Sequence, residues 1–410
     1  MGTPGGGRLR FHDELLDAQL LRTIGAAPYG GADIGECLAV ADRIGVKRVD
    51  LDRWYDEWST LADRVAALAN AELSDGRTTS ARAAFFRASS YYRTAGVMLL
   101  GPGPDRRARE ANLRQSEMFR AGAALLPHPP EILGIPFDGA TLPGYFFAAS
   151  ADGEKGPAVV LIGGYDSTCE ELYFLNGAAA VERGYHVFAF DGPGQGGALL
   201  QQGLTLSRGF DRSVRAVVDH LLERAEVDAD RIVLHGLSLG AHLAPRAASV
   251  DHRVAACIAD CGSYDLFGSA LERMPAPLAR RFASGSRAAR MIAGGAMRRV
   301  ARQPTAGWAL RRGQLVHGFD KPIDYVCSLR EFTLEGNAAN IACPLLVCYA
   351  EDDEISSSAP RLAAEAPNAT LMQFTRAEGA GDHCEAGARL LFHARVFAWL
   401  DRVLAGATVS

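Results

Sequence analysis

Gly236-Leu237-Ser238-Leu239-Gly240 sets a serine between two glycines, after the β-branched run RIVLH and before the helix-like AHLAPRAAS. A sharp strand-to-helix turn exposes a serine hydroxyl and leaves no space for side chains two residues to either side, the demand that G-x-S-x-G spacing meets. The chemistry is attack on a carbonyl. At the helix start, the N–H of Leu239 points at the negative charge that develops on the carbonyl oxygen.

A hydroxyl needs a base, and the base needs an acid to orient it. After a nucleophile elbow these follow in the order acid, then histidine. PLLVCYAEDDEIS supplies acids at the end of a late strand, and AEGAGDHCEAG supplies His383 in a glycine-rich loop before the last helix. Asp353 is the preferred acid, three residues after Ala350 where the turn usually places it; Asp352 is the alternative. Helix N-capping would account for one acid of EDDE. Of the ten histidines, only His383 stands at such a position; His235 and His242 are read as packing residues of the strand and helix around the serine.

A second oxyanion donor is expected from the turn after AVVLIGG, as the N–H of Tyr165, with Gly163 and Gly164 permitting close approach. The Asp166 side chain either faces the substrate or closes an Asx-type turn. Gly164, Asp166 and Tyr92 complete the expected substrate-binding set. Gly192, Gly194 and Gly197 in AFDGPGQGGA have G-x-G-x-x-G spacing. Pro193 interrupts that loop and the segment after it is a poor phosphate-capping helix, so the motif is read as a tight loop at the site rim, with no cofactor. No zinc or nucleic-acid constellation occurs.

These groups need a scaffold, and the chain of 410 residues, 48% hydrophobic, is long enough for two cooperating units. From 12 to 127 the pattern is helical: DLDRWYDEWSTLADRVAALANAEL and TTSARAAFFRASSYYRTAGVMLL repeat apolar residues every three or four positions. Breakers in GPGPD and LPHPPE end it, so 1–130 is predicted as an α-helical domain. Beyond lie apolar strand-like runs alternating with amphipathic segments, the mark of a mostly parallel, doubly wound α/β sheet over 131–410. A helical insert at 266–338 interrupts it.

Between Arg273 and Arg312 the insert carries ten arginines and no acid. Charge runs usually form solvated faces; the alternative is docking of an anionic group, such as a carrier-bound or coenzyme A thioester, by bidentate arginine contacts. The net charge of −5 argues against a nucleic-acid binder. With no secretory h-region and no run of about 18 apolar residues, a cytoplasmic protein with no membrane partner is expected. The eight cysteines form no pairs or framework and are read as buried free thiols.

With these residues placed, FFRASSYYRTAGVML, IPFDGATLPGYFF, LIGGYDSTCEELYF, FDGPGQG, GLSLGAHLAPRAA and GAGDHCEAG in order resemble the α/β-hydrolases with an extra N-terminal helical domain. The branch is that of the 2,6-dihydroxypseudooxynicotine hydrolases and the fungal polyketide chain-shortening hydrolases. The resemblance implies a triad at Ser238, Asp353 and His383, a helical domain acting as lid and dimer contact, and a small-molecule carbonyl substrate. Some relatives cleave a carbon–carbon bond beside a ketone; ester or thioester hydrolysis, and acyl transfer or cyclisation, stay open beside it. The resemblance also implies an assisting glutamate, with Glu272 in YDLFGSALERMP as its nearest counterpart. The arginine-rich insert departs from the family pattern.

Overall fold

The structure, a computed structural model, describes residues 9–47, 49–101, 103–150 and 153–406. Five helices come first: α1 Glu14–Ile24, α2 Ile34–Ile44, α3 Leu51–Ser74, α4 Thr78–Gly96 and α5 Arg106–Ala123. Four of them begin after an aspartate (Asp13, Asp33, Asp50, Asp105) whose carboxylate accepts from first-turn N–H groups. Those donors have no partner inside the helix, and each such cap is worth about 1 kcal/mol.

Along α3 the buried residues Trp54, Trp58, Leu61, Ala62, Val65, Ala66 and Ala69 trace one stripe of a 3.6-residue period. It packs on α4, whose buried residues run round most of its circumference because α5 and the sheet cover its other sides. Phe86 of α4 stacks on Phe119 of α5 at 5.6 Å and meets Phe174 of the sheet layer edge-on at 5.3 Å. Each such buried side chain contributes roughly 1.5–3 kcal/mol.

One eight-stranded sheet follows, of β1 Glu131–Phe137, β2 Ala140–Phe147, β3 Gly156–Ile162, β4 His186–Phe190, β5 Val227–Leu237, β6 Ala256–Asp260, β7 Leu345–Ala350 and β8 Ala369–Phe374. Its spatial order is β1-β2-β4-β3-β5-β6-β7-β8. The β1–β2 and β2–β4 pairings are antiparallel and the rest parallel. Asp138 (φ 46°) and Gly139 (φ 78°) close the first hairpin, in keeping with the Asp-Gly preference of tight hairpin turns. β4 and β6 are buried at every position because apolar clusters cover both faces of the sheet. The fold is the mostly parallel, doubly wound α/β sheet with N-terminal helices and a helical insert.

The insert consists of helices Leu266–Glu272, Ala276–Ala283, Arg287–Ala301, Trp308–His317 and Pro322–Ser328. It reaches back to the N-terminal helices: Trp308 Nε1 donates to the Val97 carbonyl at 3.1 Å and Thr305 Oγ1 to Asp13 Oδ2 at 2.6 Å. Arg280, Arg281, Arg287, Arg290, Arg298, Arg299 and Arg302 face solvent, whereas Arg312 turns inward and is buried. All eight cysteines are free. Among the described residues, no helix is long and apolar enough to cross a membrane.

Candidate active site

Ser238 sits between β5 and the helix Gly240–Ala248 with φ 58°, a left-handed value that costs a non-glycine residue energy and persists only where packing dictates it. The flanking glycines are the reason it fits. A Cβ on Gly236 would lie 2.0 Å from the Gly240 carbonyl oxygen, and one on Gly240 would lie 2.0 Å from that of Ile162. The Ser238 N–H continues the ladder by donating to the Asp260 carbonyl at 2.8 Å.

His383 Nε2 lies 2.9 Å from Ser238 Oγ, and Nδ1 lies 2.7 Å from Asp353 Oδ2. Asp353 Oδ1 accepts from the Ile355 N–H at 3.0 Å, and Ser356 Oγ donates to the Asp353 carbonyl at 3.3 Å. The Asp353 side chain is 3% exposed and that of His383 34%, so the acid is sealed while the imidazole meets the crevice. Burial alone would raise the Asp353 carboxyl, but His383 and the hydrogen bonds hold it below the usual carboxylate value. For His383, burial pushes down while Cys384 and Asp353 pull up, leaving it well above an ordinary imidazole.

The histidine loop is itself strained, with Cys384 at φ 54° and Glu385 at φ 46°. Arg389 holds it from below: its guanidinium donates to the Cys384 carbonyl at 2.6 Å and to Asn176, and pairs with Asp260 at 3.3 Å and Glu385 at 3.4 Å. The sequence reading missed this support. A charged residue six positions after His383, at the first turn of the last helix, was its only local trace.

On the opposite wall, Gly164 packs so closely that a Cβ would lie 3.0 Å from Ser238 Cβ. Its N–H is taken by Ser167 Oγ at 3.0 Å. The N–H groups of Leu239 and Tyr165 donate to no acceptor among the described residues, which leaves two free donors on the residues adjoining Ser238 and Gly164. The loop is latched by the glycine-rich turn after β4. Gln195 Nε2 donates to the Gly163 carbonyl at 2.5 Å, and Asp191 accepts from the N–H groups of Cys169 and Gly197 at 2.7 Å each. These internal bonds occupy the turn of the G-x-G-x-x-G stretch.

Asp352, Glu272, Tyr92 and Asp166 stand outside the Ser238–His383–Asp353 chain. Asp352 turns from His383 to pair with Arg376, Nε to Oδ2 at 2.8 Å. Glu272 ends its helix on the exposed surface, without a hydrogen bond among the described residues. Tyr92 gives its hydroxyl to Asp63 within the helical layer. Asp166 closes no Asx turn and binds Arg22 at 2.8 Å and Arg93 at 3.3 Å, because the N-terminal helices bury its loop with two guanidinium groups. His235 and His242 are packing residues, their pKa values depressed by burial to about 3 and about 4. Unforeseen in the sequence, His317 of the insert meets the Tyr165 hydroxyl at 2.9 Å and packs on Tyr325 and Phe332.

The fold has counterparts among known proteins. Residues 159–398 match the alpha/beta hydrolase family. Hydrolase LUC6 of Fusarium sp is 34% identical over 414 residues, covering 95% of this chain and 97% of that one. The 20-hydroxy-prefusarin hydrolase FUS2 of Gibberella moniliformis is 33% identical, covering 96% and 98%. The crystal structure of 2,6-dihydroxy-pseudo-oxynicotine hydrolase superposes with a TM-score of 0.75 at 24% identity, covering 94% of this chain and 97% of that one, and so shares the fold. The chain belongs to the α/β-hydrolase family, in the branch of these fungal hydrolases that carry N-terminal helices before the sheet.

Proposed function

We propose that the protein is a serine-dependent hydrolase acting on a bond beside a carbonyl, with a ketone, β-diketone or polyketide-like compound as favoured substrate. The observation that carries this reading is the unbroken chain Ser238 Oγ, His383 and Asp353 at 2.9 and 2.7 Å. His383 takes the proton as Ser238 attacks the carbonyl carbon, and Asp353 fixes the tautomer that leaves Nε2 free to accept it. The N–H groups of Leu239 and Tyr165 stabilise the tetrahedral oxyanion.

From that intermediate a 1,3-dicarbonyl expels a carbon leaving group as its enolate, which His383 protonates, and water then frees the acid from Ser238. An ester or thioester would instead expel an alkoxide or thiolate by the same steps. The fungal relative's activity on 20-hydroxy-prefusarin, as its name states, supports the polyketide-like class. Acyl transfer or cyclisation would need a substrate nucleophile in place of water.

The test is labelling by a fluorophosphonate together with turnover of a panel of 1,3-diketones, aryl esters and acyl thioesters. Labelling and turnover are expected in the wild type and lost in Ser238→Ala. Labelling that persists in that variant overturns the nucleophile, and turnover of simple esters alone overturns the diketone preference.

A further inference from the structure

Beside the Gly163–Thr168 loop, the insert and the N-terminal helices bury a group of charges that does not balance. Asp166 and Glu171 are each shared by Arg22 and Arg93, at 2.8 and 2.6 Å from Arg22 and at 3.3 and 3.2 Å from Arg93. Arg312 joins them as a third guanidinium, 7% exposed. It has no carboxylate partner among the described residues: its Nη2 donates to the Val97 carbonyl at 3.0 Å, and its cation lies 5.4 Å from the Trp308 ring. Its Nε is buried without any acceptor.

A desolvated cation without a counterion is unfavourable, as is a buried donor without an acceptor. Burial, with Arg93 and Arg22 adding repulsion against the pull of Asp166, lowers the pKa of Arg312 to about 10. Arg312 also lines a cavity of about 40 Å³ whose wall includes Arg93, Asn112, Tyr165, Asp166 and Gly196. A single water needs about 10–15 Å³ of such space, so the cavity has room for a group of carboxylate size.

Its unspent polar groups are donors. Asn112 accepts from Gln201 Nε2 through Oδ1 at 3.0 Å, which fixes the orientation of its amide, and its Nδ2 is buried without a partner. The oxygens of Asp166 are already taken by Arg22, Arg93 and Gln19. A cavity that offers N–H groups and excess positive charge selects an acceptor-rich anion. Tyr165 in its wall follows Gly164, where a Cβ would lie 3.3 Å from Ser238 Oγ, so the two sites share one loop.

We infer that this cavity, with Arg312 Nε and Asn112 Nδ2 as donors, binds a carboxylate-sized anionic group of the substrate and selects acidic substrates over neutral ones. The assignment of the anion to the substrate rests on the proposed hydrolysis; the anion site itself does not. Two arms keep them apart. Crystals of Ser238→Ala soaked in bromide should show an anomalous peak within hydrogen-bonding distance of Arg312 Nε, and a cavity holding only water overturns the anion site.

In the second arm, kcat/KM is compared for p-nitrophenyl butyrate and the mono-p-nitrophenyl ester of succinic acid. The preference for the acidic ester should fall at least tenfold in Arg312→Gln and in Asn112→Leu, with partial recovery in Arg312→Lys. A bromide peak with an unchanged preference means an adventitious ion only and overturns the substrate role. If the wild type turns over neither ester, the hydrolase reading is at fault, and the bromide arm decides the anion site alone. Should Arg312→Gln fail to fold, Asn112→Leu carries the selectivity arm.

Discussion

Two charge clusters adjoin the Gly163–Thr168 loop, and they are built in opposite ways. On the crevice side, His383 bridges Ser238 and Asp353 while a third of its side chain stays exposed. Position there is held by backbone, with Ser238, Cys384 and Glu385 all in the left-handed region. On the helical side, Arg22, Arg93, Asp166 and Glu171 are nearly sealed and hold one another by charge. Arg22 also donates to Ser167 Oγ at 3.2 Å, the same oxygen that accepts the Gly164 N–H. One cluster spends strain to present a reactive group; the other spends charge pairing to fix the loop facing it.

The largest expected effect breaks the first cluster only. His383→Ala removes the proposed base, and kcat should fall by about 10⁴-fold or more, since members of such a unit act together. Its cost to stability, read by urea unfolding, should be smaller than that of Asp166→Ala. The reverse ranking would erase the contrast between a reactive and a structural cluster.

Asp166→Ala comes next. Removing one partner of a buried ionic group leaves Arg22 and Arg93 short of countercharge, which costs about 3 kcal/mol or more. Burial would raise the Asp166 carboxyl, but Arg22, Arg93 and Arg312 hold it well below its ordinary 3.8. A depressed folded pKa adds stability above the unfolded value and loses it as pH falls through the folded one. The gap between wild type and Asp166→Asn should therefore stay constant from pH 7 to about 4 and narrow below that. Urea midpoints at pH 7, 5 and 3.5 check it; a gap that widens in acid contradicts the sign.

These clusters also differ in how far the sequence disclosed them. Around Ser238 every constraint is local: Gly236, Gly240 and the strand and helix beside them are read within five residues, and Asp353 follows from counting along a turn. The sheet was legible for a related reason, since apolar runs alternate with amphipathic ones all along 131–410. The Arg22 cluster joins residues 144 and 149 positions apart, and no local pattern marks an arginine that will meet a carboxylate so distant. Nothing local to Asp166 or Tyr92 announces the pairing of Asp166 with arginines of α1 and α4 or the bond from Tyr92 of α4 to Asp63 of α3. Glu272 is only the counterpart that family resemblance implies, and the helix it ends turns it to solvent. The solvent-facing reading of the arginine-rich run holds for most of it, but nothing in its composition marks Arg312 as the one that turns inward beside Tyr165.

The smallest effect moves the pH at which the first cluster works. Burial opposes ionisation of the Cys384 thiol, but the Cys261 thiol and His383 outweigh it, and the Cys384 pKa lies below the usual thiol value. An ionised Cys384 sulfur favours the protonated imidazole, as the Asp353 carboxylate does. A base must shed its proton before it can accept one from Ser238, so activity rises with pH through the His383 pKa. Cys384→Ser replaces an ionisable sulfur by a hydroxyl that stays neutral, and the His383 pKa falls. The acid limb of the kcat/KM profile should therefore move to lower pH, whereas Arg22→Lys, in the other cluster, should leave its position unchanged. A limb that moves upward in Cys384→Ser, or moves equally in both variants, would show that Cys384 does not bias the imidazole and that the clusters are coupled through the loop they adjoin.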